Sequence, residues 1–406
     1  MGVITVITIS KRAELAVKGG HPWVYGTEVE ACPADIKPGD IVRVLSKKGK
    51  FIGSGFYNPQ SKITVRIIST NANDVFDDSF WKRRVAYAID YRLQVMRPCD
   101  FNNMRLIFGE ADQLPGLTVD RFEDILSVQI LSLGMELRKE SIINSLIEVL
   151  RERKLSVSCV YERNDVKIRE LEGISIYKGF FKSPLLKEKE QKTIAHIVEN
   201  GITYNVDVEN GQKTGFFLDQ KFNRLAVGQI AKGKHVLDCF THTGAFALNA
   251  AKGGAASVTA VDISEEAVTM TQHNAVQNTC KIDVVKADVF DYLVTLDKTH
   301  NHFFDYIILD PPAFSKSRQT IHEAFRGYKE INYRAMKVLP RGGYLATCSC
   351  SHFMSEELFI KMLKEAARDA GVTLKQIAAR QQAPDHPIIM TIPETYYLKF
   401  FLFQIV

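Results

Sequence analysis

The amino-acid sequence predicts an α/β protein: a Rossmann-like, mostly parallel sheet with an antiparallel C-terminal hairpin, preceded by a small β domain and a small α+β domain. Three observations carry that expectation. The stretch from His235 to Asp262, HVLDCFTHTGAFALNAAKGGAASVTAVD, reads as an apolar run, a polar turn, a helical stretch and a β-branched run, which is one βαβ unit. The strand–helix rhythm continues after it, and aspartates close successive strands at Asp238, Asp262, Asp288 and Asp310. That edge is where open α/β sheets bind ligands. Near the N-terminus, by contrast, short β-rich runs are separated by turn signals.

With 406 residues the chain exceeds one typical core, and composition changes divide it into three expected domains: 1–72, 73–188 and 189–406. In the first, VITVITI, DIVRVLS, FIGSGFYN and ITVRIIS are strands punctuated by KPGD, SKKGK and NPQS, and KRAELAVKGG is a short helix stopped by glycines. His21, Trp23 and Tyr25 alternate as a strand would place them, so Trp23 is expected to pack rather than to stack on a base. In the second, DSFWKRRVAYAIDYRLQVM has apolar residues at helical spacing and basic residues on the other face. RLIFGEADQLPGLTVDRFEDILSVQIL then alternates around an LPG turn, MELRKESIINSLIEVLRERK is a helix, and VSCVYER and GISIYK are strands, giving strand, strand, helix, strand, strand. The charged SPLLKEKEQKT leads into the third domain.

There ITYNVDVENGQ is a strand and turn, and Ser264 caps a helix whose first turn holds Glu265 and Glu266, where acids favour the dipole. KIDVVKAD and FDYIILDPPAF are strands ending in Asp288 and Asp310. HEAFRGYKEINYRAMKVL is a helix, GGYLATCSCS a strand and SEELFIKMLKEAARDAG a helix closed by Gly371. TLKQIAAR and TYYLKFFLFQIV form the terminal hairpin.

Composition narrows the function classes. Apolar residues at 46% and charged residues at 24% describe a globular protein, and the net charge of +5 is too mild to demand a polyanion by itself. Its distribution says more: from Met1 to Ser69, Lys11, Arg12, Lys18, Lys37, Arg43, Lys47, Lys48, Lys50, Lys62 and Arg66 outweigh Glu14, Glu28, Glu30, Asp35 and Asp40, which suits a phosphate backbone. The seven cysteines form no CxxC pair and no Cys/His cluster with metal spacing, so no metal is expected and a reducing cytoplasm fits. MGVITVITISKR alternates and lacks a cleavage signature, so it reads as a strand and not a signal peptide. No apolar run approaches the ~18 residues of a membrane span.

A dinucleotide would want G-x-G-x-x-G in the first βα turn, to close backbone N–H groups on a pyrophosphate. Only Gly244 stands there. The expected ligand is therefore a nucleoside without phosphates, of which S-adenosylmethionine (SAM) is one, cradled by Asp238, Phe240, Thr243 and Gly244 with Asp262 on the ribose hydroxyls. Gln220, Lys213 and Asp219, interleaved with Phe216 and Phe217 in GQKTGFFLDQ, are candidates for the pocket floor. In Asp310-Pro311-Pro312-Ala313-Phe314 two prolines cannot donate to a sheet, so the chain must leave it and present carbonyls and a carboxylate outward. A flat base needs such acceptors for its exocyclic amine, and Phe314 is placed to stack on it.

His21 to Glu30 and Gly39 to Ile67 resemble the RNA-binding PUA domain of a ribosomal-RNA methyltransferase family, and Glu110 to Asp120 and GQKTGFFLDQ resemble its central and catalytic domains. Together with the pairing of DPPAF and SCS, these motifs span nearly the whole chain. It resembles the bacterial 23S ribosomal-RNA large-subunit methyltransferase I family, cytosine-C5 specific, with a class I SAM-dependent methyltransferase fold. The resemblance implies SAM as cofactor, Asp262 on the ribose, Asp288 on the adenine amine, Asp238 and Gln220 in the cofactor site, and Asp310, Pro311, Pro312 and Phe314 toward the base. It further implies 23S ribosomal RNA as partner; no membrane partner is expected, and the sequence leaves the oligomeric state open, a homodimer included.

Carbon methylation of a pyrimidine gives a cysteine something to do. Cytosine C5 is a poor nucleophile; a thiolate added at C6 turns it into an enamine carbon. In 5-methylcytosine RNA methyltransferases a TCS motif follows the glycine-rich start of this strand, and spacing from Gly342-Gly343 places Cys350, ahead of Cys348, as the nucleophile, with Asp310 as its catalytic partner. Its activation is expected from the site itself, since no histidine is fixed nearby by sequence, with His352, two residues on, as the alternative; Cys239 and Cys280 are expected to be inert. Other enzymes of that chemistry often carry a second cysteine in the Asp-Pro motif, which DPPAF lacks, so the group that takes the C5 proton is unnamed. Two other readings are an exocyclic amino-group RNA methyltransferase, in which DPPA grips the amine and the cysteines are structural, and an RNA-binding protein with a decayed fold.

Overall fold

The computed structural model describes residues 5–299, 302–314 and 318–406. The chain packs as two compact units. One holds Met1–Ile197, Asn205–Leu218 and Pro384–Thr395; the other holds Val198–Tyr204, Asp219–Ala383 and Tyr396–Val406. This division differs from the three sequence domains: the first two share a unit, and a segment from near the C-terminus belongs to it. The reason is specific, since the Asp385 carboxylate accepts the Arg105 backbone N–H at 2.8 Å and its carbonyl accepts from Arg92 Nη2 at 3.0 Å.

In the first unit, β1 (Val6–Ile9), α1 (Lys11–Lys18), β2 (Trp23–Val24), β3 (Val29–Ala31), β4 (Ile41–Ser46), β5 (Phe51–Tyr57) and β6 (Val65–Ser69) form a six-stranded sheet of order β2-β6-β5-β4-β1-β3 with one helix. The expected first strand began at Val3, outside the described residues. Ser10 caps α1 by accepting from the Ala13 N–H at 3.3 Å, and Ala13 and Val17 turn inward onto Ile7, Val42, Val44 and Val65. Trp23 is half-buried, its indole N–H on Glu110 at 3.0 Å.

The same unit continues with α2 (Asp78–Val95), β7 (Asn103–Phe108), β8 (Leu117–Phe122), β9 (Ile125–Ile130), α3 (Leu133–Glu136), α4 (Lys139–Glu152), β10 (Cys159–Asn164) and β11 (Tyr177–Phe180), in sheet order β11-β10-β9-β8-β7. Three strands precede the helix where two were expected. The extra turn lies between β8 and β9, where Glu123 takes a left-handed φ of 56° that no glycine advertises. Helix α2 also departs from its expected pattern. Arg92 is fully buried and paired with Asp112, so one basic residue lies inside. The β sheet of residues 6–69 and this module pack together through Phe56, stacked on Trp81 at 6.0 Å, and through Arg66, paired with Glu172 at 2.8 Å.

A hairpin of β12 (Ile194–Glu199) and β13 (Ile202–Asp207) carries the chain between units. The second unit then runs α5 (Lys221–Ile230), β14 (His235–Cys239), α6 (Ala245–Lys252), β15 (Ser257–Asp262), α7 (Glu265–Gln277), β16 (Asp283–Lys286), α8 (Val289–Lys298), β17 (Tyr306–Leu309), α9 (Ile321–Val338), β18 (Tyr344–Ser349), α10 (Glu356–Ala370), β19 (Leu374–Arg380) and β20 (Lys399–Ile405). Its seven strands lie in the order β16-β15-β14-β17-β18-β20-β19. The first five are parallel, and β20 runs antiparallel to both β18 and β19. Strand alternation splits the core: Ile307, Leu309 and Leu345 face α8, α9 and α10, whereas Ile308, Ala346 and Cys348 face α5 and α6. No helix among the described residues is long and apolar enough to cross a membrane.

Candidate active site

Parallel register puts the C-terminal ends of β14 to β18 on one edge. Asp238 pairs with Ile308 and Ala260, Asp262 with Lys286, and Leu309 with Thr347, so Asp238, Asp262, Asp310 and the Ser349-Cys350 end of β18 share that edge. The loop after β14 is strained there. Phe240 and His242 take φ of 62° and 52°, and Gly244 takes 76°. Left-handed backbone at non-glycine residues costs on the order of 1–3 kcal/mol each and persists only when its surroundings dictate it. They do: Thr241 Oγ1 donates to Asp238 at 2.6 Å, the His242 N–H to Asp262 at 3.0 Å, Thr271 Oγ1 to the His242 carbonyl at 3.1 Å, and the Asn274 amide to the Thr243 carbonyl at 2.9 Å. Gly244 is required twice over, since a Cβ there would lie 2.7 Å from Thr271 Cγ2.

Asp238 is buried and uses only Oδ2, which accepts from Thr241 and from the Ala247 N–H at 3.0 Å. Its Oδ1 has no hydrogen-bond partner among the described residues. Burial pushes this carboxyl up to about 7, with the charges of Asp310 and Asp262 adding to the effect. A buried carboxylate oxygen without a partner is costly unless a ligand cation completes it, so the loop fits a ligand that brings an ammonium group, as an amino-acid-bearing nucleoside does. Asp262 accepts the His242 and Ser264 N–H groups, one on each oxygen, and keeps a lone pair on each for a diol. Asp288 lies beyond β16 rather than ending it. Its Oδ1 caps α8 through the Phe290 N–H at 2.8 Å.

The second half of the edge holds the acid and the thiols. Asp310 Oδ1 accepts the Gln220 side-chain amide at 3.1 Å, and the Gln220 carbonyl is held in turn by Asn223 at 2.7 Å. Gln220, expected in the cofactor group, thus also bonds to Asp310. Burial, then the negative charge of Asp219, pushes the Asp310 carboxyl up to about 7. Cys348 lies beside Asp310 and is completely buried, and burial holds its thiol well above the usual range. Cys350, just past β18, is partly exposed with its Sγ 4.0 Å from the Pro311 carbonyl. The strand therefore seals one thiol and offers the other.

Other expected residues sit differently. Phe314 is wedged in an aromatic group, 4.6 Å from Tyr328 and 6.0 Å from Phe290 between ring centroids, and 6.5 Å from Phe240. It and Phe240 are partly buried and pack against the core. Pro311 is buried and Pro312 exposed. Lys213, Phe216 and Phe217 belong to the first unit, where Lys213 Nζ lies 4.6 Å from the Phe217 ring centroid. His352 is exposed and packs on Phe353. The group missed by sequence is Lys399, which is buried and donates to the Ser351 carbonyl at 2.6 Å. Among the described residues no cluster of His, Cys, Asp and Glu could hold a metal ion.

Comparison with known proteins places this edge in context. Residues 7–70 match the model of a PUA-like domain, and residues 184–403 that of an S-adenosylmethionine-dependent methyltransferase. The ribosomal RNA large subunit methyltransferase I of Pseudoalteromonas translucida (strain TAC 125) is 38% identical over 387 residues, covering 95% of each chain. Its namesake in Yersinia pseudotuberculosis serotype O:1b is 36% identical over 402 residues, covering 98% of this chain and 99% of its own. Among solved structures, one from Streptococcus mutans assigned to the SAM-dependent methyltransferases superposes with a TM-score of 0.81 at 22% identity over 99% of this chain and 100% of its own. SMU.776, solved with S-adenosylhomocysteine, superposes with a TM-score of 0.83 at 21% identity and the same coverage. These two likenesses establish the fold.

Proposed function

The chain belongs to the ribosomal RNA large subunit methyltransferase I family, and from that premise we propose that it forms 5-methylcytosine in 23S ribosomal RNA through a covalent bond between Cys350 and C6 of the base. It is a SAM-dependent ribosomal-RNA methyltransferase with a PUA-like domain. The observation that carries the carbon-methylation reading is the contrast at the end of β18: Cys350 is partly exposed beside the Pro311 carbonyl, while Cys348 is sealed in the core.

When bound, SAM supplies an electrophilic methyl group. In this reading Asp238 receives the ammonium of the cofactor on Oδ1, Asp262 its ribose hydroxyls and Asp288 its adenine amine, with Thr243 and Gly244 shaping the turn. Asp310, poised near pH 7, supplies a proton to N3 of cytosine as the Cys350 thiolate bonds to C6; the C5–C6 π electrons shift and C5 becomes nucleophilic. Pro311 offers its carbonyl to the exocyclic amine. After C5 has gained its methyl group it loses its proton to a base, the electron pair left at C5 re-forms the C5–C6 double bond as the C6–S bond breaks, and the N3 proton returns to Asp310.

Mass spectrometry of the protein trapped on 5-fluorocytosine RNA tests this, because fluorine at C5 blocks the proton loss that releases the enzyme. A crosslink on Cys350 is expected. A crosslink on Cys348 would overturn the nucleophile, and no crosslink, with methyl transfer to an exocyclic amine, would overturn the carbon chemistry.

A further inference from the structure

A buried lysine without a carboxylate partner is expensive, because an ammonium loses its hydration and keeps its charge. Lys399 is such a residue. It opens β20 opposite Ser349 of β18 in the antiparallel register, is only 2% exposed, and forms no ion pair among the described residues. Nζ donates to two carbonyls, Ser351 at 2.6 Å and Tyr397 at 2.8 Å. An ammonium has three donors, so one remains. The Tyr396 ring centroid is 6.0 Å away, and the Tyr396 hydroxyl is occupied with Glu356. The ionisable groups whose negative charge acts on Lys399 are Cys350 and Glu356. Burial draws the ammonium down to about 8, and those two anions work against that fall.

We propose that Lys399 is the positioning residue of Cys350: it staples the Ser351 carbonyl so that the turn after β18 presents the thiol, and its cation holds that thiol as thiolate. This rests on the reading of Cys350 as nucleophile. The role explains why an ammonium without an ion-pair partner is retained at this depth, beside a turn whose own histidine, His352, is exposed against Phe353. The Ser351 carbonyl that Lys399 holds at 2.6 Å is one residue from Cys350, and a thiolate near an ammonium is stabilised by their mutual attraction in a low-dielectric setting; Cys348 and Tyr328, which also face Cys350, are pushed toward their neutral forms by burial.

The test is iodoacetamide alkylation of the full chain, with Cys350 followed by peptide mass spectrometry across pH. In the wild type, Cys350 should titrate at lower pH than in the urea-unfolded chain; an equal or higher midpoint overturns the proposal without any variant. Lys399→Met keeps the aliphatic stem and removes the charge, and should slow alkylation of Cys350 about tenfold at pH 7 while the rates converge at pH 10, equivalent to about one pKa unit. Lys399→Arg should restore most of the rate. A slowing of equal size at every pH would mean a merely structural role and overturn the proposal. Trapping on 5-fluorocytosine RNA separates the two readings. A Lys399-dependent midpoint with no RNA adduct sinks the cytosine-C5 reading and supports the Lys399–Cys350 pairing, whereas an adduct with a midpoint indifferent to Lys399 sinks the pairing alone.

Discussion

Gln220 holds Asp310: its side-chain amide donates to Oδ1 at 3.1 Å, and its own carbonyl is fixed by Asn223. A hydrogen bond to a charged group is worth about 1.5–3 kcal/mol, and here it aims the acid of the proposed reaction. Gln220→Leu should therefore lower kcat for methyl transfer by at least tenfold while SAM affinity changes less than threefold. Single-turnover assays beside calorimetric SAM titration check this. A large loss of SAM affinity would return Gln220 to the cofactor.

Asp262→Ala should weaken SAM at least tenfold in a folded protein. The same variant also frees the His242 N–H that Asp262 holds at 3.0 Å, so circular dichroism must accompany the titration. Unchanged SAM affinity would remove Asp262 from the site.

The two neighbouring thiols should separate cleanly. Cys350→Ala should abolish methyl transfer and keep SAM binding. Cys348→Ala should keep substantial activity and lower Tm slightly, since it removes one atom from a fully buried position. Methyl-transfer assays on both variants decide, and full activity in Cys350→Ala would be fatal to the mechanism.

Acidity at Asp238 makes a stability prediction. Its folded value, about 7, lies above the ordinary 3.8, so the stability it contributes is fully present below about pH 4 and is lost as pH rises through about 7. Asp238→Asn should thus raise Tm of the ligand-free protein at pH 8, with the gain shrinking toward pH 5, and should abolish tight SAM binding. Thermal melts at the two pH values check it; a variant less stable than wild type at pH 8 contradicts the assignment.

RNA affinity should respond to the basic turn between β4 and β5. Lys47, Lys48 and Lys50 are exposed there, with Lys47 on Glu30 at 2.8 Å. Replacing all three with alanine should weaken RNA binding and reduce the slope of log affinity against log salt by up to about three, leaving SAM binding unchanged. Excising the whole β sheet of residues 6–69 is the wrong test, because it would strip Trp81 and Glu172 of Phe56 and Arg66. An unaltered salt slope would take RNA contact away from this turn.

Sequence reading was strongest where periodicity and sheet order agree. The βαβ unit, Gly244 and three of the strand-end aspartates, Asp238, Asp262 and Asp310, were legible because parallel strands repeat a local rule. It was weaker where a residue's meaning comes from distant pairing. Asp288 looked like a strand end and is a helix cap, since two residues decide the difference. The β8–β9 turn was hidden because Glu123 adopts the left-handed backbone usually marked by glycine. Lys399 reads as an ordinary polar position in TYYLKFF; only the antiparallel register with Ser349 reveals that it lies inside.

The placement of Asp385 in the first unit also sets an order of events during synthesis. Its bonds to Arg105 and Arg92 close loops of 280 and 293 residues, and closure over such lengths is entropically slow relative to local folding. A ribosome that has already made α2 and β7 must still translate the entire SAM-binding sheet up to β19 before Pro384–Thr395 exists to be docked. Until then Arg92, destined for complete burial, lacks one of its carbonyl partners. The unit whose synthesis begins first is the one whose final piece arrives late.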